Sequence, residues 1–330
     1  MNRLGPIDRR SRQERLRYRR PSRTFVAAPR GASPSAATVA RALVRQLRPK
    51  QWVKNLTCCA GLIFSGLLFT PAAQGEAALA CAAFCLASSC IYIVNDFIDR
   101  ENDRRNPRTS KRPLATGELP VWVAAVALGV LLSASIGISA FLGPACLGVL
   151  AIYAAQGVLY SVSLKRVVVV DVMCIAVGFV LRVLYGVYAV GVLPTPWIIL
   201  CMFFLALFLG FSKRHAELNA ADGSHAARPV LMKYRADYLQ ALIVVSATTA
   251  ILSYALFTVT SHRNATLVVT VLPVMYCVCR YLLQVMVGGR GESPDETLLA
   301  DRRILLGIVV WVVAFVAISY GDVHLFAEPR

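Results

Sequence analysis

Four acidic side chains stand within eight residues, at the point where an apolar stretch ends. The segment NDFIDRENDRRNP begins at Asn95, directly after the run ALACAAFCLASSCIYIV. On a helix each residue advances about 100°, so Asp96, Asp99 and Asp103 share a sector of about 60°. Carboxylates that converge in this way repel one another unless a cation lies among them, and hard oxygen ligands favour Mg²⁺. We therefore predict a Mg²⁺ site formed by these three carboxylates and oriented by the Asn95 amide.

The residues that follow are strongly basic. The segment RRNPRTSKRPLATG contributes Arg104, Arg105, Arg108, Lys111 and Arg112. Carboxylates for a metal, followed closely by cations, form the pattern expected for a metal–diphosphate site, in which the cations neutralise a departing pyrophosphate. The alternative is a solvated helix end, where the aspartates pair with neighbouring arginines.

Further polar residues lie at the ends of other apolar stretches, in LRPKQWVKN, YSVSLKRVVVVD and FSKRHAELN. They add the candidates Lys54, Tyr160, Lys165, Lys213 and Arg214. Asp171 and Arg182 lie deeper, on one helix face but roughly 16 Å apart along the axis, which is too far for a direct pair. Charges at such depth usually mark a cavity or functional site. For Arg182 the alternative is burial against a polar group of another helix.

The composition predicts an all-α polytopic membrane protein. Hydrophobic residues make up 57% of the 330 residues, and the mean hydropathy is +0.60. Apolar blocks of roughly 17–25 residues can each cross about 30 Å of hydrocarbon. We count nine such blocks, at about 55–70, 77–96, 120–141, 144–162, 167–192, 194–211, 238–260, 265–287 and 304–320.

The positive charge is concentrated at the N-terminus. Of the net charge of +17, residues 1–50 contribute +12, from fourteen Arg and Lys against Asp8 and Glu14. We predict that residues 1–45 form a disordered basic cytoplasmic arm that binds anionic membrane lipids. A nucleic-acid partner is not expected. Residues 46–330 then form one transmembrane domain.

The loops between the blocks predict the orientation. With a cytoplasmic N-terminus, the inner loops hold sixteen Lys and Arg, whereas the outer segments hold only Arg263 and Arg330. This asymmetry follows the positive-inside rule. The acidic motif therefore faces the cytoplasm, and we expect a cytoplasm-facing central cavity with carboxylates for Mg²⁺, cations for phosphate and apolar walls suited to a lipid.

These motifs resemble a known family. Asn95-Asp96-x-x-Asp99-x-x-x-Asp103 is similar to the first aspartate motif of the UbiA superfamily of intramembrane transferases, which have nine helices. LRPKQWVKN, SKRPLATGELP, YSVSLK and DETLLADRRILLGIVVW resemble the branch that transfers phosphoribosyl to decaprenyl phosphate. The aryl prenyltransferase branch carries a second motif, DxxxD. The corresponding loop here, SKRHAELNAADGSHAARP, has Glu217 and Asp222 but no DxxxD.

The resemblance implies an activity. The enzyme would transfer 5-phosphoribosyl from phosphoribosyl diphosphate to a polyprenyl (decaprenyl) phosphate and release pyrophosphate. This reaction supplies cell-wall arabinan precursors at the bacterial plasma membrane. An aryl polyprenyltransferase of quinone synthesis is the near alternative, and a cation-coupled transporter the distant one. A homo-oligomer is left open.

The residues divide into three expected roles. The metal ligands are Asp96, Asp99 and Asp103. The catalytic candidates are Asp96, Asp99, Tyr160 and Lys165. The substrate-binding candidates are Lys54, Asn95, Lys111, Arg112, Arg182, Lys213 and Arg214. Among these, Lys54, Lys111 and Arg112 would neutralise the pyrophosphate, whereas Tyr160, Lys165 and Arg182 would position the acceptor phosphate or the donor's 5-phosphate.

Overall fold

The computed structural model describes residues 35–107, 109–220, 230–260, 264–289, 291, 294–321, 323 and 325. Within these ranges the chain is helical and contains no β-strand. The α-helices are α1 (Ala36–Leu47), α2 (Ala60–Phe64), α3 (Pro71–Ile98), α4 (Arg100–Arg105), α5 (Pro113–Thr116), α6 (Val121–Leu142), α7 (Pro144–Val162), α8 (Val170–Ala189), α9 (Pro196–Ala220), α10 (Ala236–Thr260), α11 (Val271–Met286), α12 (Pro294–Ala300) and α13 (Arg302–Tyr320). Short 3₁₀-helices occupy Pro49–Cys59, Leu164–Arg166, Leu231–Lys233 and Ala265–Thr270.

Eight helices among the described residues are long and apolar enough to cross a membrane. They are α3, α6, α7, α8, α9, α10, α13 and the continuous segment Ala265–Met286. Each coincides with a predicted block. Pro71, Pro144 and Pro196 begin three of them, because proline lacks an N–H that the first helical turn would leave unpaired anyway. The predicted all-helical, multi-pass membrane protein is confirmed.

The first predicted block, residues 55–70, is not one continuous helix. It contains the end of the 3₁₀-helix Pro49–Cys59 and the short helix α2. A 3₁₀-helix of this length is uncommon, and here it packs closely on α8. A Cβ atom added to Gly186 would lie 1.8 Å from the Cys58 carbonyl oxygen. Hydropathy detects the apolar residues of this segment but not the close backbone approach that shapes it.

Helix α1 begins inside the stretch assigned to the basic arm. It runs from Ala36 to Leu47, whereas the arm was predicted to extend to residue 45. Its apolar side chains recur at helical spacing, and Ala42 packs in a cluster with Ile93 and Leu114. Residues 1–34, which hold most of the arm's charge, lie outside the described residues.

Helix α8 lies between the two largest apolar clusters of the bundle. Val172 and Ala176 pack with side chains of α9, α10 and α11. Further along, Leu181 and Tyr185 pack with side chains of α3 and α7. This helix is the most buried of the long helices. It therefore fixes the connection that precedes it, which carries Lys165, relative to the end of α3, which carries Asp96.

Candidate active site

Asp96 is buried near the end of α3 and is surrounded by cations. It is 1% exposed. Arg48 Nη2 lies 2.7 Å from both of its carboxylate oxygens, and Arg112 Nη1 lies 2.8 Å from Oδ1. Gln46 Nε2 donates to Oδ2 at 2.9 Å. Asn95 Nδ2 is 3.5 Å from Oδ1, and its orienting role stays a prediction.

Arg112 connects two of the predicted metal ligands. The same Nη1 atom lies 2.8 Å from Asp103 Oδ2, and Asp103 is buried. The loop that presents Arg112 is fastened by two arginines that precede it in the chain. Arg100 Nε donates to the Leu114 carbonyl and Arg104 Nε to the Ala115 carbonyl, at 3.0 and 3.1 Å. These two arginines therefore bind the backbone of the loop and do not bind the aspartate carboxylates. Arg108 lies outside the described residues.

Asp99 is paired with a different cation. Lys165 Nζ, in the α7–α8 connection, lies 2.6 Å from both Asp99 oxygens. Asp99 lies between α3 and α4. The three aspartates therefore do not lie on one uninterrupted helix, contrary to the assumption made from their spacing. The contact nevertheless brings together Asp99 and Lys165, two predicted catalytic residues that are far apart in the sequence.

We name Asp96, Asp99 and Asp103 the acidic cluster, the proposed ligands of a metal ion. Within the described ranges, no group of three or more His, Cys, Asp or Glu side chains is arranged to hold a metal. Asp96 and Asp103, however, each direct one oxygen to within 2.8 Å of the same Arg112 nitrogen. Hard anionic oxygens thus converge on one cationic point, and this donor chemistry fits Mg²⁺. The metal assignment stays a prediction.

Arg48 is the contributor that sequence reasoning missed. It precedes Pro49, and a residue before proline normally takes an extended backbone. Arg48 instead has φ 54° and ψ 58°, in the left-handed region, and its guanidinium also stacks over Tyr92, 4.8 Å from the ring centroid. No residue pattern predicts this conformation. A basic residue just ahead of an apolar block was the only available signal.

Arg182 is buried in a polar and aromatic pocket. Its Nε donates to Asn55 Oδ1 at 2.8 Å, and its other nitrogens donate to the Gly178 carbonyl and the Tyr153 hydroxyl. The guanidinium also lies 5.2 Å from the centroid of the Phe179 ring. No carboxylate among the described residues forms an ion pair with it. Asp171 and Arg182 have different partners, and the polar group that faces Arg182 from another segment is Asn55.

Asp171 and Arg214 belong to a separate ionic cluster inside the bundle. Arg214 Nε lies 2.8 Å from Asp171 Oδ2, and its Nη1 lies 2.7 Å from Glu217 Oε2. Tyr234 Oη donates to Asp171 Oδ1 at 2.8 Å. We name these four residues the buried ionic cluster, since all of them are buried. Arg214, a predicted substrate-binding residue, is thus directed to internal carboxylates and not to the acidic cluster.

The remaining candidates occupy four different elements. Tyr160 is half-buried near the end of α7 and interacts electrostatically with Arg214. Lys111 is exposed on the loop beside Arg112, and Lys54 and Lys213 are half-buried on the first 3₁₀-helix and on α9. Asp222, in the loop after α9, lies outside the described residues.

An apolar cavity of about 290 Å³ lies among α8, α9, α10, α11 and α13. Side chains such as Phe64, Val183, Tyr254 and Trp311 line it. Its size and lining suit part of a hydrocarbon chain rather than a polar ligand.

A sequence model of the UbiA prenyltransferase family matches residues 55–300, and the chain therefore belongs to the UbiA prenyltransferase family. The predicted membership is confirmed. A decaprenyl-phosphate phosphoribosyltransferase from Mycolicibacterium smegmatis is 33% identical over 294 residues, which is 84% of this chain and 92% of that protein. The enzyme of the same name from Corynebacterium glutamicum is 33% identical over 86% of this chain and 88% of its own length.

The fold is also similar to that of solved structures. A UbiA homolog from Archaeoglobus fulgidus bound to GPP and Mg²⁺ superposes with a TM-score of 0.66, over 84% of this chain and 99% of that one. Its sequence is 20% identical, so the likeness concerns the fold alone.

Proposed function

We propose that this protein transfers the 5-phosphoribosyl group of phosphoribosyl diphosphate to a polyprenyl phosphate, decaprenyl phosphate by analogy with its relatives, and releases pyrophosphate. Two relatives named for this reaction match it over most of their length. The observation that carries the proposal is the convergence of Asp96 and Asp103 on Arg112, with 2.8 Å contacts. Paired carboxylates and cations at one point suit a metal-bound diphosphate better than a neutral substrate.

The acidic cluster would hold Mg²⁺ through Asp96 and Asp103, with Asp99 beside them. When bound, Mg²⁺ supplies charge neutralisation on the diphosphate of the donor. Asn95 orients the Asp96 carboxylate. The side chains of Arg48 and Arg112 are 28% and 25% exposed, so an incoming diphosphate can reach both guanidinium groups.

The cations of the site then act on the leaving group. Breaking the bond between ribose C1 and the diphosphate oxygen sends an electron pair to pyrophosphate and develops positive charge on the ribose ring. Arg112, Lys54 and Lys111 would stabilise the departing anion, as the sequence motifs predict. Because Lys165 pairs with Asp99 of the acidic cluster, we assign it to the departing anion as well, and not to the acceptor phosphate or the 5-phosphate. Such electrostatic stabilisation is usually the largest contribution to catalysis. An oxygen of the acceptor phosphate forms the new bond to C1, and it needs no general base because it is already an anion.

Arg182 and Tyr160 are the candidates for the remaining phosphate. A guanidinium that is 7% exposed and lacks a described carboxylate partner keeps a charge that an anionic ligand can neutralise. We assign it to the acceptor phosphate or to the donor's 5-phosphate, together with Tyr160 and Lys213. The apolar cavity would take part of the polyprenyl chain.

The site is proposed to face the cytoplasm of a bacterial cell from its plasma membrane. The excess of Lys and Arg in the inner loops supports this orientation. The basic residues before α1 would bind anionic headgroups on the same side, at about 1 kcal/mol for each residue near the surface.

The test uses purified protein in detergent with Mg²⁺, labelled phosphoribosyl diphosphate and a polyprenyl phosphate. We expect label to move into the organic phase, and to stay in water with EDTA or with the Asp96→Ala protein. Transfer by a folded Asp96→Ala protein would contradict the role of Asp96. Reaction with a prenyl diphosphate and a hydroxybenzoate instead would assign the protein to the aryl prenyltransferase branch.

A further inference from the structure

The connection between α7 and α8 contains a strained residue. Val169 has φ 67° and ψ −47°, and Val170 N donates to the Val168 carbonyl across it at 2.8 Å. This is a γ-turn of the positive-φ kind, which is rare even for unbranched residues. A β-branched side chain at positive φ is a genuine outlier, so contacts outside the turn must hold it.

Tyr234 supplies that outside contact. Val169 N donates to Tyr234 Oη at 2.7 Å, and Tyr234 Oη donates in turn to Asp171 Oδ1 at 2.8 Å. Arg214 fixes the other oxygen of Asp171. Burial raises the pKa of Tyr234, so its hydroxyl stays protonated and continues to donate. The turn is thus fastened to the buried ionic cluster through a single hydroxyl.

The same connection carries Lys165, only four residues before Val169. The stretch between them is turned throughout, with Val167 N bonded to the Leu164 carbonyl at 3.1 Å and Asp171 N to the Val167 carbonyl at 3.0 Å. It contains no glycine. A change of backbone direction at Val169 will therefore move Lys165 relative to Asp99.

We propose that Tyr234 is a positioning residue, which holds the Val169 turn and thereby sets Lys165 against Asp99 and the diphosphate. Only the catalytic role of Lys165 in this proposal rests on the proposed function. The link from Tyr234 to Val169 does not. Tyr234 itself touches no substrate. The strain at Val169 gives the proposal its test, because glycine adopts positive φ at no steric cost.

The experiment compares Tyr234→Phe, Val169→Gly and the double variant in the full-length protein. Tyr234→Phe removes the acceptor of Val169 N, so the turn relaxes and Lys165 shifts. We expect a roughly tenfold fall in kcat/KM for phosphoribosyl diphosphate, since small displacements of a catalytic group have effects of this size or larger. Val169→Gly in the same protein should restore most of the loss, because the turn no longer needs its anchor.

A second readout follows Lys165 without any substrate. Its rate of modification by an amine-specific reagent, measured by mass spectrometry, should rise in Tyr234→Phe and return in the double variant. Tyr320→Phe is the matched control. The Tyr320 hydroxyl also accepts from a backbone N–H, that of Leu68 at 3.0 Å, but Tyr320 belongs neither to the α7–α8 connection nor to the lining of the apolar cavity.

The outcomes separate the two proposals. Inactive wild-type protein would contradict the proposed function, and the labelling rates would still test the positioning. Equal labelling rates in Tyr234→Phe and Tyr320→Phe would overturn the role of Tyr234. So would a loss that Val169→Gly leaves unrestored, because Tyr234 would then act through general packing and not through the turn.

Discussion

The acidic cluster and the buried ionic cluster both pair carboxylates with arginine, but the arginines differ in their access to water. In the acidic cluster, Asp96 is buried while its partners Arg48 and Arg112 have side chains 28% and 25% exposed. In the buried ionic cluster, the side chains of Asp171 and Arg214 are 0% and 2% exposed. An arginine that reaches water can release its carboxylate partner and bind a phosphate instead. Partners that do not reach it stay together, and their pairing stabilises the bundle.

The difference shows why charge pattern alone cannot assign a role. The sequence presents Asp171 and Arg214 at the ends of apolar blocks, as it presents Asp96 and Arg112. Removing one partner of a sealed pair leaves a buried charge, which costs much more than exposing a charge at a wet site. Substitutions in the two clusters should therefore affect different properties.

The largest effect is expected from Arg214→Gln. The change leaves the buried carboxylates of Asp171 and Glu217 without the cation that they share, so the free energy of unfolding should fall by about 3–5 kcal/mol. Thermal unfolding in detergent measures it. Arg235→Gln is the control, since Arg235 pairs with Asp237 on the surface, and little or no change is expected there. Equal effects of the two substitutions would remove the distinction between sealed and exposed pairs.

Asp96→Asn should have the opposite profile. The amide keeps the size of the side chain but removes the charge on which Arg48, Arg112 and the proposed Mg²⁺ depend. We expect kcat/KM to fall by about 10²–10³, a size typical of losing one electrostatic contribution at a reacting group. The unfolding midpoint should change little, because the partner arginines can turn to water. Unfolding as severe as that of Arg214→Gln would class Asp96 with the sealed cluster.

Lys165→Gln tests the point where the acidic cluster meets the α7–α8 connection. Losing the cation that faces Asp99 should lower kcat/KM for phosphoribosyl diphosphate by roughly tenfold to a hundredfold. Lys165→Arg should recover part of it, because charge is retained while the fork geometry differs. Lys233→Gln, at an exposed lysine of the α9–α10 connection, should leave the kinetics unchanged. Activity equal to wild type in Lys165→Gln would make the Asp99–Lys165 pair purely structural.

Most of the helical framework could be predicted from the sequence, because hydropathy and proline positions are local signals. Pro71, Pro144 and Pro196 begin helices where the apolar blocks predict them. The block at 55–70 was wrong as a continuous helix, since the contact between Cys58 and Gly186 joins segments distant in the chain. No local pattern contains that approach.

The candidate site, like the fold, was predictable where the signal is local in the sequence and not where it depends on distant contacts. The spacing of the aspartates identified them, and the Asp99–Lys165 pair joins two predicted residues. The left-handed backbone of Arg48 and the direction of Arg214 could not be read from composition, because both depend on what lies across the bundle. Burial separates Arg214 from Arg112, although both are arginines just beyond an apolar block.

The smallest effect is expected at Asp301. The side chain of its partner Arg280 is 22% exposed, between the values for Arg214 and Arg112. Burial raises the pKa of this carboxyl, but hydrogen bonds from the Arg303 N–H, Arg280 and Gln284 outweigh it and hold the pKa below its usual value. A lowered pKa stabilises the folded protein above the unfolded value of about 4, and this stabilisation is lost as the pH falls through the folded pKa. The unfolding midpoint of the wild type should therefore decline more steeply below about pH 5 than that of Asp301→Asn. Thermal unfolding between roughly pH 3 and pH 6 measures the two slopes. Parallel curves would mean that the cap at the start of α13 is equally stable with a neutral side chain. Partial access to water would then already suppress the charge effect that is expected for the sealed cluster.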